Sequence, residues 1–265
     1  MLKLPNGMEL VNPINTQQAI RLYKEIFDGK VYLRNGIKLH DGCCVLDVGA
    51  NIGMFTLFLN TICTNSTTYC FEPILPIFKA LESNLKHNNI NANYYNVGLS
   101  NQSGEANFIY YKQFPGISGQ FVDPIKNLNE AKNNVQNILN ENQKRSAAIE
   151  SKINQYVDQF YKYENVTCRL RTLSEIIKEN RISKIDLLKI DAESSEYLIL
   201  EGIKKTDWLK IEQIIIEVHN EELLDKISSL LIGKGYSLQI SANPQVENGS
   251  LPVGLEDCML FAFRT

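Results

Sequence analysis

The stretch VLDVGANIGMFTLFL, residues 45–59, governs how the remainder of the chain is read. An apolar run meets an acid, Asp47; Gly49, Asn51 and Gly53 then follow at alternate positions before a second apolar run begins. A turn that only reversed the chain would need one glycine. The spaced set suits the end of a parallel strand, where the backbone bends sharply and a ligand can approach only where side chains are absent. A helix starting there adds free N–H donors.

Outward from this stretch, strands alternate with helices. Strands are expected at 43–48, 68–71, 93–97, 185–190 and 213–218, with helices at 52–61, 74–88, 173–180, 196–204 and 221–234. Near-continuous apolar runs such as IDLLKI and QIIIEV suit a sheet covered on both faces. The pattern predicts an α/β fold on a doubly wound, mostly parallel sheet, finished by an antiparallel pair at 236–240 and 258–263. Near the start, Asn6-Gly7 marks a hairpin turn. Residues 15–28 read as an amphipathic helix with Ile20, Tyr23, Ile26 and Phe27 on one side.

Residues 112–163 break the rhythm, being rich in Asn, Gln, Lys and Glu. A structureless loop of that length is uncommon inside a compact domain. Ile125, Leu128, Val135, Ile138 and Leu139 fall at helical spacing, as do Ile149, Ile153, Tyr156, Val157 and Phe160. Two helices forming a lid are expected, inserted between EANFIYY and VTCRLRT, which read as paired strands.

Composition narrows the function. The 265 residues are 44% hydrophobic, enough for a real core, and net charge is −3 without a long basic run. Nucleic acid is disfavoured as a main partner, since phosphate neutralisation needs clustered Lys and Arg. Six cysteines show no CxxC pair and several sit in apolar runs, so they read as core thiols. No signal peptide is evident, and no apolar run approaches the ~18 residues of a spanning helix. A reducing, cytoplasmic setting away from membranes is expected.

The motif at 45–59 departs from the dinucleotide fingerprint G-x-G-x-x-G: its order is D-x-G-x-N-x-G. In S-adenosylmethionine sites a glycine loop meets the methionine part and sugar, and an acid such as Asp47 can hold the amino group directly or through water. The second strand ends CFEP, residues 70–73, placing Glu72 and Pro73 about twenty residues on. An acid there accepts both ribose hydroxyls and disfavours a 2′-phosphate. The third strand leads into NVGLSN, where Asn96 and Ser100 are candidates for the adenine rim.

The fourth strand delivers KIDAESSEYLILEGI. Glu193 and Glu196 are accounted for as an acidic helix start. Asp191 is not, because it sits at the carboxyl edge beside the ligand crevice. The fifth strand gives IIIEVHN, in which Glu217 and His219 lie two apart and share a face. His219, one of only three histidines, is the candidate general base.

Together, VLDVGANIGMFTLFL, CFEPILPIFKALESNL, NVGLSNQSGEANF, LLKIDAESSEYLILEGI and IIIEVHN resemble the FkbM-type methyltransferases over residues 43–240. LPNGMEL, LYKEIFDGKVYLRNGI and GISGQFVDP resemble the branch embedded in modular polyketide and nonribosomal peptide synthetases. The resemblance implies a Rossmann-like class I fold, S-adenosylmethionine as donor and oxygen methylation. It implies residues 1–42 as a hairpin and helix covering the cofactor site, and 43–265 as the methyltransferase core interrupted by the lid. One departure is Ser194, where many members carry glycine after the glutamate.

On this reading His219 is the base, oriented by Glu217 or Asp191. In a second arrangement Asp191, Glu217 and His219 together hold a divalent ion that lowers the acceptor's pKa. The acceptor is a small molecule or an acyl group tethered to a carrier protein that docks on the enzyme. A sugar or metabolite methyltransferase and a silent cofactor-binding module are the competing readings. The absent [DNS]-P-P-[YFW] motif disfavours a nucleic-acid methylase, and the absent central glycine a dehydrogenase.

Overall fold

The computed structural model describes the backbone of residues 1–141, 147–242 and 258–265, and the side chains of 1–137, 151–241 and 258–265. The chain opens with a hairpin, β1 (Leu2–Lys3) and β2 (Glu9–Leu10), turned at Asn6-Gly7. Helix α1 (Thr16–Tyr23) follows, its start capped by the Asn15 side chain, which accepts the Gln18 N–H at 3.1 Å. A wider π-type turn, Lys24–Asp28, continues it. Its buried stripe is Ala19, Tyr23 and Ile26; Ile20, expected on that face, is instead exposed.

The core then alternates as expected. Strand β3 (Cys44–Val48), α2 (Met54–Ile62), β4 (Thr67–Phe71), α3 (Leu75–His87), β5 (Asn93–Tyr95) and the short β6 (Gly98–Leu99) form the first half. Strand β7 (Gly104–Tyr111), α4 (Pro124–Glu141), α5 (Ala147–Phe160) and β8 (Tyr163–Arg171) follow. The second half is α6 (Leu173–Glu179), β9 (Leu187–Ile190), α7 (Glu196–Glu201), β10 (Gln213–Val218), α8 (Glu221–Gly233), β11 (Tyr236–Ala242) and β12 (Cys258–Arg264).

Seven strands make the main sheet in the order β11-β12-β10-β9-β3-β4-β5. Its β5-to-β10 portion is parallel and β12 runs antiparallel between β10 and β11. The two-residue period of the strands sorts the core into two layers. Cys43, Val45, Leu187, Ile215 and Phe261 pack towards α1, α2 and α3. Leu46, Val48, Leu188, Ile190, Ile214 and Ile216 pack against α6, α7 and α8. Burying each such aliphatic side chain is worth about 1.5–3 kcal/mol. The order of strands reverses beside β3, so a crevice opens at the carboxyl ends of β3 and β9.

Strands β6, β8 and β7 form a separate three-stranded sheet, with β7 and β8 antiparallel. The insertion sits between β7 and β8 as two helices that touch through Lys132 and Asp158, 2.6 Å apart. Val157 is buried. Ile125, expected on the packed face, is 72% exposed. The side chains of Ile138, Leu139 and Ile149 lie outside the described residues. The six cysteines are thiols; burial pushes those of Cys43 and Cys168 up to about 12, so both stay protonated and inert.

Candidate active site

The alternate spacing of Gly49, Asn51 and Gly53 has a backbone cause: all three take the left-handed conformation, at φ 72, 49 and 91. A Cβ on Gly49 would stand 1.7 Å from the Asp191 carbonyl oxygen, so the turn passes directly against the end of β9. Asn51 tolerates this conformation better than most residues and uses its side-chain oxygen to accept the Ile52 N–H at 2.7 Å. The Gly49 and Ala50 N–H groups both donate to the Phe71 carbonyl, tying the turn to β4.

Glu72 follows at once. Its carboxylate accepts the Asn51 N–H at 3.2 Å and the Ile74 N–H at 3.0 Å. Burial raises its pKa to about 7, against the lowering by those two bonds. Glu72, Pro73, Gly49 and Asn51 line a cavity of about 610 Å³, counting its mouth, closed by Val97, Gly98 and Leu99 on the far side. Asn96 and Ser100 do not line it. The Asn96 amide donates to the Glu72 and Pro73 carbonyls at 2.9 and 2.8 Å, bracing the strand end. Ser100 is buried, its N–H on the Arg171 carbonyl.

A second, wider cleft adjoins the first. It is bounded by Tyr32, Phe114, Phe121 and Phe160, and it holds Lys189, Glu217 and His219. Gly49, Asn51, Gly116, Asp191 and Glu193 border both spaces.

Asp47 lines neither cavity. It is fully buried beneath the turn, accepting from Thr56 Oγ1 at 2.8 Å and paired with Lys189 Nζ at 3.2 Å. The expectation of cofactor contact by Asp47 is corrected accordingly: it is a ligand for a buried cation. Lys189 also donates to the Gly49 carbonyl at 2.9 Å and lies 3.6 Å from Asp191 Oδ2. Burial alone would lower its pKa, but Asp47 and Asp191 raise it, so the ammonium persists. Register explains the trio: Asp47 pairs with Lys189 across β3 and β9, and Asp191 is two residues on.

The partners of His219 differ from those expected. Nδ1 is 3.0 Å from Glu196 Oε1 and Nε2 is 3.7 Å from Glu193 Oε2. The Nδ1 contact is an ion pair off the line of a hydrogen bond. Burial would lower the imidazole pKa; Glu193, Glu196 and Glu217 outweigh it and hold the pKa well above 6.5. Glu196, fully buried, is therefore more than a helix-dipole acid: its Oε1 also accepts the Ala192 and Ser194 N–H groups at 3.2 and 3.0 Å. Asp191, Glu193 and His219 can bring one ligand atom each within 4.8 Å of one another. Glu193 thus takes the place expected of Glu217, which lies beside them at 8% exposure.

This tight entry into α7 forces Glu193 and Ser194 to φ 47 and 72. A left-handed non-glycine residue costs roughly 1–2 kcal/mol, partly offset by the greater unfolded-state freedom of glycine. Ser194→Gly is expected to stabilise the protein by ~0.5–1 kcal/mol in urea titration; a destabilised variant would contradict this geometry.

Two curated relatives each align with 92% of the chain. Over 245 residues the chain is 33% identical to the 31-O-demethyl-FK506 methyltransferase FkbM of Streptomyces tacrolimicus, covering 92% of this chain and 91% of that one. It is 31% identical over 252 residues to the AMB antimetabolite synthetase AmbE of Pseudomonas aeruginosa, covering 92% of this chain but spanning only 12% of AmbE. Among solved structures, the precorrin-6y C5,15-methyltransferase of Geobacter metallireducens superposes with a TM-score of 0.48 at 9% identity, over 98% of this chain and 96% of that one. The expected α/β fold on a doubly wound, mostly parallel sheet is present in the strand order itself. The methyltransferase FkbM domain matches residues 47–238, from the buried Asp47 to β11, and the chain belongs to that family.

Proposed function

We propose that the chain is an S-adenosylmethionine-dependent O-methyltransferase acting on a hydroxyl of a polyketide or peptide intermediate, free or tethered to a carrier protein. The carrying observation is the junction of the two cavities. Asp191 and Glu193 border both, whereas Glu72 is confined to the narrow one and His219 to the wide one. Such a division suits a cofactor on one side and an acceptor on the other.

The residues present fit this cofactor. Glu72 keeps a buried carboxylate at the strand end with two backbone donors already placed, ready for ribose hydroxyls. Around the junction, Asp47, Asp191, Glu193, Glu196 and Glu217 outnumber the cations Lys189 and His219. An acidic excess of this kind favours a cationic ligand. When bound, S-adenosylmethionine supplies a methyl group already activated by its sulfonium, so the protein contributes chiefly alignment. Asp191 holds the acceptor hydroxyl at the junction, and His219 in its neutral form removes the hydroxyl proton. The aromatic wall of Phe114, Phe121 and Phe160 receives the apolar body of the acceptor.

One observation favours a second reading of the same residues. Asp191, Glu193 and His219 are placed as two carboxylates and an imidazole suited to a divalent cation. A cation there would lower the pKa of the acceptor hydroxyl. Incubation with ¹³C-methyl-labelled cofactor and a panel of hydroxylated acyl-carrier and free substrates, followed by product NMR, tests both readings. An O-methyl product supports the proposal; methylation at carbon or nitrogen, or none, sinks it. Loss of activity with chelator, restored by one divalent ion, selects the metal arrangement.

Glu72→Ala is expected to weaken S-adenosylmethionine binding by about tenfold to a hundredfold, the ~1.5–3 kcal/mol of a hydrogen bond to a charged group. Because the carboxyl titrates near 7 and the ionised form is the better acceptor, wild-type affinity should fall as pH drops through about 7. Calorimetry reads both effects. A folded variant with unchanged affinity would place the cofactor elsewhere.

A further inference from the structure

We propose that Tyr32, contributed by the N-terminal segment, is a positioning residue for methyl transfer that fixes the Asp191 carboxylate where the two cavities meet. The proposal rests on the functional reading above. Tyr32 lies on a short 3-10 turn, Val31–Leu33, far in sequence from the strand ends that build the site. The chain enters this turn through Lys30 at φ 49, a left-handed conformation that costs free energy for a non-glycine residue. The result is a ring packed edge-on against Phe55, with centroids 5.2 Å apart, and only 4% exposed.

From there the hydroxyl donates to Asp191 Oδ2 at 3.2 Å. The same oxygen faces Lys189 Nζ at 3.6 Å, and that ammonium lies 5.4 Å from the centre of the Tyr32 ring. Oδ2 is thus held from two directions. Oδ1 accepts no hydrogen bond from the described residues, which leaves it for a group entering the junction. The Asp191 N–H is anchored as well, on the Val48 carbonyl at 3.1 Å. Burial, followed by Asp191, Glu217, Glu25 and Asp47, pushes the Tyr32 pKa well above 10, so the hydroxyl stays a donor at any working pH. Without this hydroxyl, Lys189 alone constrains the carboxylate, and as a flexible point charge it sets a distance better than a direction.

Tyr32→Phe keeps the ring and its packing and removes only the donor. In the full chain, with labelled cofactor and an accepted substrate, kcat is expected to fall roughly tenfold to a hundredfold, the usual penalty for a misplaced reacting group. Cofactor affinity and melting temperature should stay at wild-type values. The decisive arm is the double variant. If Tyr32 acts through Asp191, Tyr32→Phe adds nothing in an Asp191→Asn background. Wild-type kcat in Tyr32→Phe, or effects that multiply in the double variant, would overturn the proposal. Should the phenylalanine variant unfold, 4-fluorophenylalanine incorporated at position 32 fills the space of the hydroxyl without donating a proton; an unchanged kcat would then overturn it. A silent Tyr32→Phe beside a crippled Asp191→Asn counts against this inference alone, whereas a silent Asp191→Asn takes the functional reading down with it.

Discussion

His219→Ala should lower turnover about a hundredfold, the usual contribution of a positioned general base, while leaving cofactor affinity near wild type. The separation follows from the two cavities: His219 borders only the wide cleft. The pH dependence sharpens the test. In the resting protein, burial works against a charged imidazole, but Glu193, Glu196 and Glu217 prevail and keep it protonated well above 6.5. An imidazolium cannot take a proton, so wild-type kcat should climb as pH rises through that elevated pKa, giving an alkaline optimum. The alanine variant should lose this limb. Equal turnover in wild type and variant would make His219 a buried ion-pair partner of the two glutamates and nothing more.

The second large effect concerns the inserted helices. Replacing residues 124–160, which hold α4 and α5, by a short flexible linker should spare cofactor binding and abolish methylation of a large acceptor. Lys126, Asn127, Glu130 and Phe160 border the wide cleft and none borders the narrow one. The excision must begin after the preceding turn, because Gly116 and Gly119 themselves line the narrow cavity. A Cβ on Gly119 would lie 2.7 Å from the Glu193 side chain, so that turn packs directly on the site. Phe121 and Phe160, 50% and 41% exposed, border the wide cleft, where the proposed function seats the acceptor. On the proposed function the insertion is a lid, excluding water and shaping the acceptor pocket. Retained turnover on the large acceptor, measured beside calorimetric cofactor affinity, would reduce the insertion to surface elaboration.

The sheet was legible because its evidence is local. A five-residue apolar strand, a left-handed turn and a helix each leave marks within a few positions, and Gly49, Asn51 and Gly53 mark one turn three times. The position of Glu72 at the narrow cavity was legible for the same reason, since it stands at a fixed distance beyond that turn. Contacts between distant segments left weaker marks. Nothing near Tyr32 announces a partner 159 residues away. Asp47 was misassigned because an acid before a glycine turn looks the same whether it faces a ligand or a lysine beneath. The clue was Lys189 itself: a lone cation inside an otherwise apolar, doubly covered strand needs a buried counter-charge. Glu193 and Glu196 were misjudged because a helix start explains acids cheaply. Only the fold reveals that Glu196 is fully buried beside His219. Asn96 fell to the same ambiguity, an amide near a crevice that is spent on two carbonyls.

The central claim is that cofactor and acceptor occupy separate spaces that meet at Asp191. A crystal structure with S-adenosylhomocysteine bound measures this directly. The account predicts the ribose on Glu72, the adenine against Val97–Leu99, and the sulfur at the junction beside Asp191 and Glu193, with His219 across it on the acceptor side. A ligand seated in the wide cleft, or one bound with its ribose away from Glu72, would contradict it.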